Sequence, residues 1–272
     1  MPQFPLDESV PRHWYFNHPV PTHLGNSLSL LFPAGERFFM RSVRAFAEVY
    51  KNDPQLLADV RTFFGQEGSH ARTHDEYIEM LEKQGYDVQK FLKFYEFIAY
   101  GLVERFSSPK VRLASTAAAE HFTALLAEQA FTHRELDAAH PVIRDLLMWH
   151  AAEEVEHRAV AFDVLQRVDK SYALRMVGLA IACSILGSFW AMGTLVLVAQ
   201  EDRIPPRPPE LLAFRKRRGS PFRVLASGIR SYMRRDFHPN QTGGDEAAAE
   251  FLASLSYLSP KKTREPAARP SA

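Results

Sequence analysis

Two glutamate–histidine pairs spaced three residues apart, Glu67/His70 and Glu154/His157, are the residues in this chain best placed to do chemistry. Side chains three apart on a helix are neighbours, so each pair offers a carboxylate oxygen and an imidazole nitrogen to one cation. About one such pair would arise by chance in a chain of this composition, so the spacing gains meaning from its placement. Glu36 precedes Glu67 by 31 residues and Glu120 precedes Glu154 by 34. His150 lies one helical turn before Glu154 and extends that motif to H-x-x-x-E-x-x-H.

The segments that carry these residues read as helices over 33–51, 54–84, 87–106, 109–139 and 141–168. Pro33, Pro54, Pro109 and Pro141 stand at helix starts, where the missing N–H costs nothing. Asp53 and Ser108 are the expected N-caps, and Gly85 is a natural stop. In steps of three and four, the core-facing stripe of the last helix runs Ile143, Leu147, His150, Glu154, His157, Ala161, Val164 and Val168. The second gives Leu56, Val60, Phe63, Glu67, His70, His74, Tyr77 and Leu81. The first gives Phe32, Glu36, Phe39, Val43, Phe46 and Tyr50, and the fourth Leu113, Ala117, Glu120, Ala124, Ala127 and Phe131. Each stripe is apolar at its ends and ionisable in the middle. Four helices thus aim a glutamate at a shared interior. Buried carboxylates cost several kcal/mol each unless compensated. No lysine or arginine occupies these central positions, and two divalent cations would supply the charge. Carboxylate and imidazole suit iron, manganese or zinc.

Over about residues 30–168 the order Glu36, Glu67-Gly-Ser-His70, Glu120, Glu154-Val-Glu-His157 resembles the ferritin-like di-iron carboxylate superfamily. With His150 the set is similar to the seven-ligand variant of di-iron arylamine oxygenases such as p-aminobenzoate N-oxygenase. The wording Phe-Pro-Ala-Gly-Glu-Arg-Phe-Phe around Glu36, and His-Ala-Ala-Glu-Glu-Val-Glu-His from His150, also resembles a bacterial family labelled predicted metal-dependent hydrolase. The likeness implies an all-α, ferritin-like four-helix bundle with 87–106 as a crossover helix. It implies two metal ions per chain, iron first and manganese or zinc as alternatives, held by Glu36, Glu67, His70, Glu120, His150, Glu154 and His157. Glu67 and Glu154 would bridge, and Glu36 and Glu120 would be terminal. His74 and Glu153 are expected as hydrogen-bonding neighbours or substitute ligands, with Glu156 a further substitute. His121 points elsewhere.

Three functions fit such a centre. The leading expectation is O2-dependent oxidation of a small organic substrate, which would need an external electron donor because the chain has no flavin or nicotinamide fingerprint. Metal-dependent hydrolysis is the second. Iron handling is the third.

The rest of the chain frames the bundle. Residues 1–25, rich in proline, read as an extended arm, 26–170 as the dimetal bundle, 171–200 as an additional apolar helix, 201–259 as a linker and basic amphipathic segment, and 260–272 as a disordered tail. Met176 to Ala199 carries no charge and is long enough to cross a bilayer at about 1.5 Å per residue. A helix packed on the bundle, or a homodimer interface, is the alternative. Glycines 178, 187 and 193 suit close helix packing. The basic stretch Arg215–Arg218 and the segment with Phe222, Leu225, Ile229 and Met233 could lie on anionic lipid or form a solvated surface helix. A net charge of +1 gives no field that favours nucleic acid. The single cysteine, Cys183, and the lack of a secretory start predict a cytoplasmic protein, with membrane association through 176–199 as the open question.

Overall fold

The computed structural model describes residues 2–218 and 221–255. The expected tail 260–272, and the side chains of Arg217, Arg218 and Phe222, lie outside the described residues. The chain is all-α; among the described residues there is no strand, only an isolated bridge between Tyr15 and Ala139.

Helix α1 spans Pro19–Arg44. Pro19 and Pro21 occupy its first turn, where no intrahelical N–H bond is lost, and the His18 ring accepts from the Val20 N–H at 3.2 Å. This corrects two expectations. The arm stops at His18, and Pro33 lies inside α1 rather than at its start. Prolines at 19 and 21 mark a helix entrance as readily as an extended arm, because both need a fixed φ near −65°. The arm is also tightly held. Trp14 is buried and donates to Asn26 Oδ1 at 2.7 Å, an oxygen that also accepts from Tyr77 at 2.7 Å.

The expected helix 33–51 breaks after Arg44, leaving a separate turn, α2 (Ala47–Tyr50). Helix α3 (Pro54–Lys83) follows, capped by Asp53, which accepts from Leu56 N–H at 3.1 Å. Its exit uses Gly85 at φ +95°, a conformation that favours glycine. The crossover is α4 (Gln89–Glu96) running straight into a π-helical segment, Phe97–Glu104. Helix α5 (Pro109–His133) is capped by Ser108. It ends short of the expected 139 because Arg134 turns left-handed, φ 54°. The expected helix 141–168 is two, α6 (Pro141–His157) and α7 (Val160–Val168). The break falls at Arg158, whose buried guanidinium donates to the Val155 carbonyl at 3.2 Å and pairs with Asp245 at 2.7 Å.

Helices α1 and α3 form one packed pair, and α5 with α6 and α7 forms the other. Helix α8 (Tyr172–Val198) lies across α1 and α5. Gly178 meets the Ala114 backbone so closely that an added Cβ would sit 2.4 Å away, and one added at Gly193 would sit 3.0 and 3.1 Å from the Phe91 and Ser27 side chains. Gly187, by contrast, faces open space. Among the described residues α8 alone is long and apolar enough to cross a membrane, yet only 22% of its most apolar stretch is buried. It is therefore a helix docked by one face, with Val177 and Leu195 exposed on the other. Helices α9 (Pro209–Arg218), α10 (Pro221–Tyr232) and α11 (Asp245–Leu255) complete the described chain. Leu225 and Ile229 of α10 pack on the core, while Met233 stays exposed.

Candidate metal centre

The four ionisable stripes meet at one level of the bundle. Glu36, Glu67, His70, Glu120, His150, Glu154 and His157 are each no more than 4% exposed. The apolar residues above and below, Phe63 and Val60 on α3 and Ile143 and Ala161 on α6 and α7, are equally buried and hold these side chains inward. All seven expected residues come together. Three overlapping groups emerge, each with potential ligand atoms within 4.8 Å of one another: Glu36/His70/His150, Glu67/His70/Glu154 and Glu67/Glu120/His157. Glu67 and His70 each belong to two groups, so they stand between the two lobes of the cluster.

Most of the polar atoms facing one another here have no hydrogen-bond partner. Both oxygens of Glu36, Glu67 and Glu120, Glu154 Oε2, His70 Nδ1 and His157 Nε2 make no hydrogen bond. Leaving such groups unmet in a core costs about 1–3 kcal/mol each, more when charged. Electrostatics tell the same story. Burial, then repulsion from Glu67, Glu154 and Glu120, holds Glu36 well above the usual carboxylate range. Glu120 is raised in the same way, by burial and then by Glu67 and Glu154. Burial raises Glu67 to about 7 despite the His157 ring beside it. At Glu154 burial is outweighed by the His157 charge and the His150 hydrogen bond, and the carboxyl sits well below its usual value. The polypeptide alone thus leaves most of its own carboxylates uncompensated, as residues suited to cations should be. The donor set fits metal ions of borderline-hard character.

Each of the three inner histidines points one ring nitrogen at the cluster and gives the other to a neighbour. His70 Nε2 lies 2.9 Å from Glu153 Oε2, while its Nδ1 faces Glu154 at 3.7 Å and Glu67 at 3.9 Å. His157 Nδ1 lies 2.9 Å from Gln66 Oε1, and its Nε2 is 3.1 Å from Glu67 and 3.6 Å from Glu120. His150 Nδ1 lies 2.8 Å from His74 Nε2, with its Nε2 2.9 Å from Glu154 and 3.7 Å from Glu36. Such outer partners fix the tautomer and aim the inner nitrogen. The partners are themselves held: Trp149 Nε1 donates to Glu153 at 2.9 Å, and Gln66 donates to Glu156 at 2.7 Å. His74 and Glu153 are thus hydrogen-bonding neighbours of His150 and His70. Gln66 was missed by sequence reasoning, although it immediately precedes Glu67 and lies on the flank of the same stripe. His121 is turned away and meets the Gly228 carbonyl at 3.0 Å.

A cavity of about 630 Å³ reaches the centre at His150 and Glu154. Phe32 closes its inner wall with its ring 4.6 Å from His150 and 4.7 Å from His74. A smaller cavity, about 90 Å³, touches Glu36 on the other side of Phe32, under the π-helical segment. Ala127, one of the small residues around Glu120, lines the larger cavity.

A family model described as "predicted metal-dependent hydrolase" matches residues 1–243. No curated protein and no solved structure gave a significant match. The chain belongs to this predicted metal-dependent hydrolase family.

Proposed function

We propose that the chain is a two-metal enzyme that hydrolyses a substrate held in the 630 Å³ cavity. The observation that carries this reading is the ring of buried, unpartnered carboxylate and imidazole atoms opening onto that cavity at His150 and Glu154. Four carboxylates balance the charge of two divalent ions, so a loaded centre would be near neutral in a low-dielectric core. Glu36, Glu67, His70, Glu120, His150, Glu154 and His157 would hold the ions, with Glu67 and His70 shared between the two lobes of the cluster. When bound, two such ions would acidify a shared water and polarise the bond to be cut. The chain's own residues do the rest. Glu153, Gln66 and His74 hold the outer protons of His70, His157 and His150, keeping their inner nitrogens free as donors of electron pairs. Phe32 and the apolar cavity walls exclude bulk water, which strengthens the electrostatics inside.

Oxidation of an organic substrate by O2 is the second reading, supported by the three imidazoles among four carboxylates and by the resemblance to arylamine N-oxygenases. It would require iron and a separate reductase. One comparison separates the two. Zinc- or manganese-loaded protein that cleaves p-nitrophenyl esters, with loss of activity in Glu154→Ala, supports hydrolysis. Cleavage absent with every metal, together with O2 uptake by the reduced iron form, overturns it in favour of oxidation.

A further inference from the structure

The cavity has two unlike ends. Its buried end is formed by Phe32, Thr123, His150 and Glu154, and its exposed end carries Arg207 and Arg215, with Glu135 and His133 nearby. Between them the walls are apolar, with Leu24 and Leu28 of α1, Leu126 of α5, Leu147 of α6 and Phe214 of α9. Among the described residues neither Arg207 nor Arg215 has a hydrogen-bond or ion-pair partner.

The arginines also stand on held backbone. The linker that carries Arg207 is tied at Glu201, which accepts from Tyr86 at 2.5 Å and lies 2.8 Å from His23 and 3.0 Å from His13. It is tied again at the Pro205 carbonyl, 3.1 Å from His18 Nε2. Helix α9, which carries Arg215, is seated by buried Leu211 and by Phe214, whose ring lies 5.3 Å from Phe16. Unpaired guanidinium groups at the mouth of an apolar tunnel favour an anion there and an apolar body behind it.

We propose that the ligand of this cavity is an anionic amphiphile, bound with its head at Arg207 and Arg215 and its apolar chain running inward, and carrying an ester or amide bond at the inner end of that chain; a simple long-chain carboxylate shares its head and chain and serves as the probe. The substrate class rests on the two-metal reading above and adds a constraint to it. The reacting bond lies at the end of the substrate remote from its charge, because His150 and Glu154 are at the far end of the tunnel.

The test is calorimetric titration of the full chain with decanoate and with decanol, in metal-free and metal-loaded forms. Decanoate should bind at least tenfold tighter than decanol in about 0.1 M salt, and the preference should shrink in about 1 M salt. The double variant Arg207→Gln/Arg215→Gln should bring the two ligands within about twofold while leaving decanol affinity unchanged. Leu126→Trp, which fills the tunnel, should weaken both ligands about tenfold. Equal affinities in the unaltered chain, a preference that survives the double variant, or no binding of either ligand would overturn the proposal. Metal content of the same samples keeps the two readings apart. Two metals per chain without a decanoate preference sinks the ligand class alone, whereas decanoate binding without metal uptake sinks the two-metal reading alone.

Discussion

Replacing Glu67 by glutamine should stabilise the metal-free protein and at the same time cripple metal binding. Glu67 is fully buried, and its carboxyl is raised from 4.5 to about 7 by burial. At about 1.4 kcal/mol per pKa unit, keeping it ionised costs the fold roughly 3 kcal/mol. Glutamine removes that charge but leaves an amide with few partners, which returns about 1–2 kcal/mol of the gain. The net expectation is about 1–2 kcal/mol, or a rise in Tm of roughly 3–6 °C for a chain of this size. The pH dependence has a definite sign. A carboxyl raised in the folded state binds more protons there than in the unfolded chain. Glu67 should therefore add a downward slope to metal-free stability as pH rises from about 4.5 to about 7, joined by raised Glu36 and Glu120 and opposed by His70 and His74, which burial holds well below their usual value. Glu67→Gln should flatten that slope. Differential scanning calorimetry of metal-free protein between pH 5 and 8 measures both effects. In metal-loaded protein the same substitution should erase the Tm gain that metal confers. A metal-free Glu67→Gln protein less stable than the unaltered chain near pH 8, or a pH slope of Tm that the substitution leaves unchanged, would refute the reasoning.

Three further outcomes follow from other contacts. Gln66→Leu removes the outer partner of His157 and should weaken metal binding about 10–100-fold with little change in the fold; equilibrium dialysis reads the first and circular dichroism the second. Gly178→Val places a side chain against the Ala114 backbone and should cost about 1–3 kcal/mol or more in urea denaturation, whereas Gly187→Val, facing open space, should cost far less. At Glu201 burial is outweighed by hydrogen bonds from Tyr86, His23 and His13, which hold the carboxyl at about 2. Its stabilisation is complete above the unfolded value near 4.5 and is lost as pH falls through 2, so Glu201→Gln should shift the acid unfolding midpoint upward.

The centre was legible because a core position must be apolar unless something pays for it. Eight stripe residues of α3, Leu56 through Leu81, are all buried, and the ionisable ones fall at a single level. Phase alone placed Glu36, Glu67, Glu120 and Glu154 on facing helices. What phase could not supply was anything set by contacts between helices. Gln66 matters only because α6 brings His157 beside it. Phe32 becomes a cavity wall only through its rings against His74 and His150. The helix ends show the same limit: Pro19 and Pro33 carry the same local signal, and only the docking of Trp14 against Asn26 decides which one opens α1. The π-helical turn at Phe97–Glu104 and the split at Arg158 lie in continuous helical periodicity, so no pattern of apolar residues announces them. Helix α8 was read as membrane-spanning or as packed. Gly178 and Gly193 place one face on the bundle, and the other face remains apolar and open.

The account stands most directly on metal stoichiometry. Protein stripped with chelator, reconstituted separately with iron(II), manganese(II) or zinc(II) and dialysed should retain two ions per chain with at least one of these metals, and Glu154→Ala should retain fewer than one. Retention of no more than one ion by the unaltered chain with every metal, or of two by Glu154→Ala, would contradict the two-metal centre.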